Sequence, residues 1–159
     1  MVGFYSFLKD GAMAHYYIQD LFHNFTRENL MTVSPKGIAG APADIFSFDA
    51  TEASVAGMCD MLLQSHNGYI EFLPALPAVW NTGSVTGICA RGAIEADIDW
   101  NDGRVVKATL RANKPAQFKV RIPEGTKVDC DGRLMKVKST ADGLAEFSLK
   151  PGENLNFTI

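Results

Sequence analysis

A change of hydrophobic period near the middle of the chain constrains the fold more than any total does. In residues 61–77, MLLQSHNGYIEFLPALP, helical spacing ends, Asn67-Gly68 breaks the chain, and alternation begins ahead of two prolines. Apolar residues recur every three or four positions on a helix and every second position on a strand. A helical layer is therefore expected before this point and a β layer after it. The predicted class is α+β, a few helices followed by an antiparallel β-sandwich, with the cut drawn at Pro77 into segments 1–77 and 78–159.

On the helical side, residues 12–25 (AMAHYYIQDLFHNF) place Tyr17, Leu21 and Phe25 at four-residue steps, with Ile18 and Phe22 alongside. That is a broad apolar stripe. Phe4, Phe7 and Leu8 suggest an earlier helical segment that stops at Asp10-Gly11. A stripe this wide on so little helix predicts an incompletely buried helical part, open to self-association through its apolar faces. Residues 32–48 hold two prolines and two glycines and read as a loop. A second helix is expected over residues 51–65, on Val55, Met58 and Leu62, with Asn67-Gly68 as its left-handed stop.

From Tyr69 the period is two. Ile94, Ala96, Ile98 and Trp100 alternate with Glu95, Asp97 and Asp99, which describes a strand with one wet face. Asn101-Asp102-Gly103 then signals a hairpin into RVVKATLRA. Phe118, Val120 and Ile122, residues 144–149, and Leu155, Phe157 and Ile159 repeat the pattern between Gly-containing turns. Several short strands so spaced imply a sandwich.

The 159 residues are 47% hydrophobic and 21% charged, enough for a packed core. Net charge is −3, divided as −5 over residues 1–77 and +2 over 78–159. Neither part offers the basic field a nucleic-acid backbone requires, so no nucleic-acid partner is expected. No apolar run reaches the ~18 residues of a membrane span. The first residues, MVGFYSFLKDG, show no signal-peptide pattern. Cys59, Cys89 and Cys130 match no zinc or redox spacing and read as small buried hydrophobes.

Asp49 and Glu52, in FSFDATEASVAGM, fit two descriptions. As structure they form a capping box, the Asp49 carboxylate accepting a backbone N–H just before the helix and Glu52 reaching back. As chemistry, Asp49 closes a Pro/Gly loop and could face a cleft as an ionised base for water activation. His15, His23 and His66 have no metal-ligand spacing, and neither a metal nor an organic cofactor is expected. Trp80 and Trp100 could stack on a sugar, although a core position suits them better.

Residues 46–77, FSFDATEASVAGMCDMLLQSHNGYIEFLPALP, resemble the end of the catalytic domain of glycoside hydrolase family 95, mostly α-L-fucosidases with some enzymes acting on related α-galactosides. Residues 83–112 are similar to the start of the β-sandwich that follows it, and residues 7–22 to the preceding barrel helix. The resemblance implies that residues 1–77 are the last helices of an (α/α)₆ barrel, and that the whole protein is an inverting exo-glycosidase acting on a glycan in the periplasm or outside the cell. In that scheme a Glu acid protonates the leaving oxygen, while Asn side chains and an Asp activate water on the opposite face. The family motif Phe-Gln-Ile-Asp-Gly-Asn aligns with residues 46–51, so the resemblance assigns the water-activating role to Asp49. Ser47 stands in place of Gln, and Ala50, Thr51 and Glu52 replace Gly-Asn-Phe. The acid and the Asn pair belong upstream of Met1, so this chain alone is expected to be inactive. The alternative is a non-catalytic β-sandwich module that binds a glycan or a protein partner.

Overall fold

The computed structural model describes residues 1–159, apart from the side chain of Ala39. The chain forms two compact units. One comprises residues 1–61 with 75–77; the other comprises 62–74 with 78–159. Residues 62–74, on the helical side of a cut at Pro77, thus lie in the second unit. The class is α+β: helices first, then antiparallel sheets. Among the described residues no helix is long and apolar enough to cross a membrane.

The first unit holds α1 (Val2–Phe7), α2 (Gly11–Asn24), β1 (Val33–Ser34), β2 (Ile45–Phe46) and α3 (Phe48–Leu62, whose last residue falls in the second unit). Asp10 caps α2, its Oδ1 accepting from the Met13 N–H at 3.0 Å, which satisfies one orphan donor of the first turn. α2 buries Gly11, Ala14 and Ile18, a line at steps of three and four down one face. Phe22, from the same predicted stripe, is exposed. The loop expected over residues 32–48 contains a two-residue ladder, Val33 opposite Phe46 and Ser34 opposite Ile45. Small residues let α3 approach α1. A Cβ on Gly57 would lie 2.7 Å from the Gly3 nitrogen, and the Ser6 hydroxyl donates to the Gly57 carbonyl at 2.9 Å.

α3 starts and ends three residues earlier than its pattern suggested. It stops because Leu63–Gln64 (β3) pairs antiparallel with Glu71–Phe72 (β4). Asn67-Gly68 therefore turns a hairpin and does not cap a helix; Gly68 has φ 81°.

The second unit continues with β5 (Gly83–Ala90), β6 (Ile94–Asn101), β7 (Arg104–Ala112), β8 (Ala116–Arg121), β9 (Lys127–Cys130), β10 (Arg133–Leu134), β11 (Leu144–Leu149) and β12 (Asn154–Thr158). Six strands form one sheet in the order β10-β9-β12-β7-β6-β5, and β11 pairs with β8 in a second. Asp102 and Gly103 both have positive φ, 49° and 69°, as a two-residue type I′ hairpin needs. Ile94, Ala96, Ile98 and Trp100 are buried, as their alternation requires. The fully buried Phe157 ring on β12 meets Phe147 of β11 edge-on at 5.6 Å and Phe72 of β4 at 5.8 Å. The two sheets share that apolar layer.

Opposite substitutions at adjacent positions test the α1–α3 contact. Gly57→Ala gains about 1 kcal/mol of helix propensity, but its methyl meets backbone that cannot swing aside, at a cost of about 1–3 kcal/mol. Ala56→Gly at the exposed neighbour loses about 1 kcal/mol from propensity alone. Both variants are expected to melt below the parent chain in a thermal scan. A Gly57→Ala protein that melts higher would show that the contact is loose.

Candidate active site

Asp49 lies in the first turn of α3, one residue after its start, and its side chain is exposed. It is not a residue before the helix, so a box with Asp49 as the cap does not describe the geometry. Its carboxylate accepts instead from the Ser47 hydroxyl, Oγ to Oδ1 2.9 Å. Ser47 is in turn held at both backbone groups by one residue. Its N–H donates to the Thr32 carbonyl at 3.0 Å, and its own carbonyl accepts from the buried Thr32 hydroxyl at 2.5 Å. The Thr32 oxygen lies 2.6 Å from the Thr51 hydroxyl, on the next turn of α3.

The short β1–β2 ladder explains this clamp. Antiparallel pairing continues one step past Val33 and Phe46, so Thr32 arrives opposite Ser47 just where the chain turns into α3. The intervening loop is tied by the Arg27–Asp44 ion pair and by the Lys36 N–H donating to Asp44 at 2.9 Å. Phe46 and Phe48 flank Ser47, both exposed, their rings 6.3 Å apart. These two aromatics and the Thr32 clamp were not singled out from sequence. The motif Phe46-Ser47-Phe48-Asp49 was visible, but a partner fifteen residues upstream of Ser47 was not.

The helices also line a cleft of about 640 Å³ with Phe4, Phe7, Tyr17, Leu21, Phe25 and Ala50. Asp20 and Ser54 are polar members of this mainly apolar lining. Ala50 is Asp49's neighbour, but Asp49 is not part of the lining.

Trp100 cannot offer its face to a sugar. It is buried, its indole N–H donates to the Trp80 carbonyl at 2.7 Å, and its ring lies against Gly83, where an added Cβ would fall 2.6 Å from a ring carbon. The cysteine reading also needs correction. Cys59 and Cys89 are exposed, on the outer sides of α3 and of the edge strand β5. Cys130 is half-buried, and burial pushes its thiol pKa up. No disulfide joins these residues. Among the described residues no three His, Cys, Asp or Glu side chains gather where they could hold one metal ion.

The strongest ion cluster lies on the wet face of β6 and β7. Arg111 donates to both Asp97 oxygens at 2.6 and 2.7 Å and to Glu95 at 2.9 Å. The hydrogen bonds from Arg111 hold the Asp97 carboxyl below its usual pKa, assisted by the Gly87 N–H, while burial opposes them. The two carboxylates raise the guanidinium pKa. All three groups are consumed by one another, which marks the cluster as structural.

Comparison with known proteins follows from this geometry. The family model described as glycoside hydrolase family 95, C-terminal domain, matches residues 64–157. Asp49 lies outside that stretch. An Arabidopsis thaliana protein, alpha-L-fucosidase 2, is 40% identical over 66 residues, covering 41% of this chain and 8% of that protein. A probable alpha-fucosidase A of Aspergillus niger (strain ATCC MYA-4892 / CBS 513.88 / FGSC A1513) is 32% identical over 108 residues, 58% of this chain and 13% of that protein. The chain thus matches only a small part of the length of these relatives. A family 127 β-L-arabinofuranosidase structure from Geobacillus stearothermophilus T6 has a TM-score of 0.38 at 14% identity, covering 69% of this chain and 18% of its own. That likeness carries no weight.

Two outcomes test these clusters. Thr32→Val keeps the shape but removes the hydroxyl that serves Ser47 and Thr51, and should cost about 1–3 kcal/mol. Amide exchange at Ser47 should quicken, whereas Thr32→Ser leaves it near the parent rate. For Asp97, a folded pKa below the unfolded value of about 3.9 means that its stabilisation is present above that value and is lost as pH falls through the folded pKa. Asp97→Asn should therefore lower the melting temperature at pH ~7, and the difference from the parent should vanish by pH ~2.

Proposed function

Because the chain belongs to the glycoside hydrolase family 95 C-terminal domain family, we propose that it is the C-terminal portion of an inverting exo-glycosidase that removes terminal α-linked fucose, or related α-linked galactose, from glycans. The observation that carries this reading at the level of chemistry is Asp49, an exposed carboxylate at the start of α3 with one oxygen held by Ser47. The names of the two relatives, both fucosidases, support fucose as the sugar.

In the proposed reaction Asp49 takes part in withdrawing a proton from water. The water oxygen attacks the anomeric carbon as the glycosidic C–O bond breaks, and a carboxylic acid elsewhere in the longer protein protonates the leaving oxygen. Inversion requires acid and base about 6.5–9.5 Å apart, with the water between base and sugar. The hydroxyl of Ser47 occupies one Asp49 oxygen and leaves the other for the water. Ser47, which stands where the family motif has Gln, holds the occupied oxygen, and Thr32 fixes Ser47.

The test has two arms. Residues 1–159 alone should show no turnover of an aryl α-L-fucoside, because a base without its acid lacks one of two catalysts, each worth ~10²–10⁴-fold. In a polypeptide that continues in frame upstream of Met1 through further barrel helices, Asp49→Asn should lower kcat by ~10²–10⁴-fold with KM little changed. Turnover by residues 1–159 alone, abolished in Asp49→Asn, would contradict the two-sided scheme. A stop codon directly upstream of Met1 would remove the longer enzyme altogether.

A further inference from the structure

Two arginines of the β unit are paired very differently. Arg111 makes three hydrogen bonds of 2.6 to 2.9 Å. Arg121 makes one long contact with Glu71, 3.4 Å, and its Nε, shielded from solvent, has no partner among the described residues. Nor is the side chain loose: its guanidinium lies 4.6 Å above the Tyr69 ring, which fixes its plane. Arg121 is thus oriented but underused.

It lines a cavity of about 670 Å³, within the ordinary range for small-ligand sites. The apolar part of the wall comes from Leu73, Val105 and Ile122, and the polar part from Arg104, Arg121, Glu71 and Asp142. Two cations face two side-chain carboxylates, and Ile159, the last residue, also lines the cavity, so the site offers both donors and acceptors around an apolar surface. A bulky residue in the wall is also strained. Leu73 has φ 51°, a left-handed conformation that a branched side chain rarely adopts, and its N–H donates to the Leu62 carbonyl at 2.8 Å. Such strain clusters at binding sites, where the surrounding structure enforces it.

We propose that this cavity is a saccharide-binding site separate from Asp49, taking a neutral pyranose. Sugar hydroxyls both donate and accept, so they can accept from the terminal N–H groups of the partly exposed Arg121 guanidinium and give to the carboxylates, while the C–H face of the ring lies on Leu73, Val105 and Ile122. An anionic ligand would meet Glu71 and Asp142 as well as the arginines, and the charge balance disfavours it. The site would hold a glycan on the β unit without acting on it.

Titration of the ¹⁵N-labelled chain with L-fucose, D-galactose and D-galacturonate, in separate arms, tests this. Saturable shifts of the Gly103, Arg104, Ile122 and Gly143 amides are expected with a neutral sugar. Arg121→Ala should weaken binding at least about tenfold. Arg104→Ala, at an exposed position, provides a second variant if Arg121→Ala fails to fold. Asp49→Asn should leave the titration unchanged, which separates this site from the hydrolytic one. The proposal fails if neither neutral sugar gives a saturable shift up to ~50 mM, if galacturonate alone binds, or if every folded arginine variant binds as the parent does.

Discussion

Two antiparallel sheets of unequal size hold together only if side chains fill the roughly 10 Å between them. In the β unit that filling centres on Phe157. Its ring is fully buried and meets Phe147 from the smaller sheet and Phe72 from the β3–β4 hairpin, so three separately paired pieces share one apolar layer. Edge-on rings add about 0.5–1.5 kcal/mol beyond the area they bury, but the geometric consequence matters more. β12 runs between β7 and β9 in the large sheet, so the ring that joins the sheets sits on an interior strand and not on a mobile edge. The ends of β4 and β8 and the β6–β7 hairpin, which line the Arg121 cavity, are positioned by that shared layer.

Those parts of the fold were legible where one face of an element is buried and the other wet. Residues 94–100 show this well, because burial at every second residue writes itself into composition. The Asn101-Asp102-Gly103 turn was legible for a different reason, since two consecutive positive φ angles demand residue types that few sequences supply by chance. Asn67-Gly68 carries the same local signal yet was given the wrong job. A left-handed Gly ends a helix or turns a hairpin equally well, and only the pairing of Leu63 with Phe72 decides between them. The start of α3 was hidden in the same way: Thr32 fixes Ser47 from fifteen residues away, and no local pattern contains that contact. The cysteines failed on burial, because a small apolar residue has no periodicity of its own to show which side it occupies.

The helical unit shows the opposite balance. Met1, Phe4, Phe7, Leu8, Phe22, Phe48 and Val55 are all exposed, on or next to three helices whose buried positions are mainly small residues. Burying a large apolar side chain is worth about 1.5–3 kcal/mol, so these residues represent stabilisation not realised within the unit. The close α1–α3 approach through Gly3 and Gly57 is well made, and the apolar cleft beside it is left open. In the longer enzyme proposed above, further helices would cover those grooves.

Asp49 connects these considerations to chemistry. Capping and catalysis are partly compatible descriptions of the Asp49 carboxylate. The structure places Asp49 inside the first turn and supplies a hydroxyl, not a backbone amide, as its partner. A hydroxyl donor on a residue clamped at both N–H and C=O is positioned almost as firmly as backbone, yet it can rotate its proton away at little cost. That matters for a base, whose hydrogen bonds must let its charge change as it accepts a proton. In the proposed role, the Ser47 hydroxyl that stands where the family motif has Gln is kept in place by Thr32.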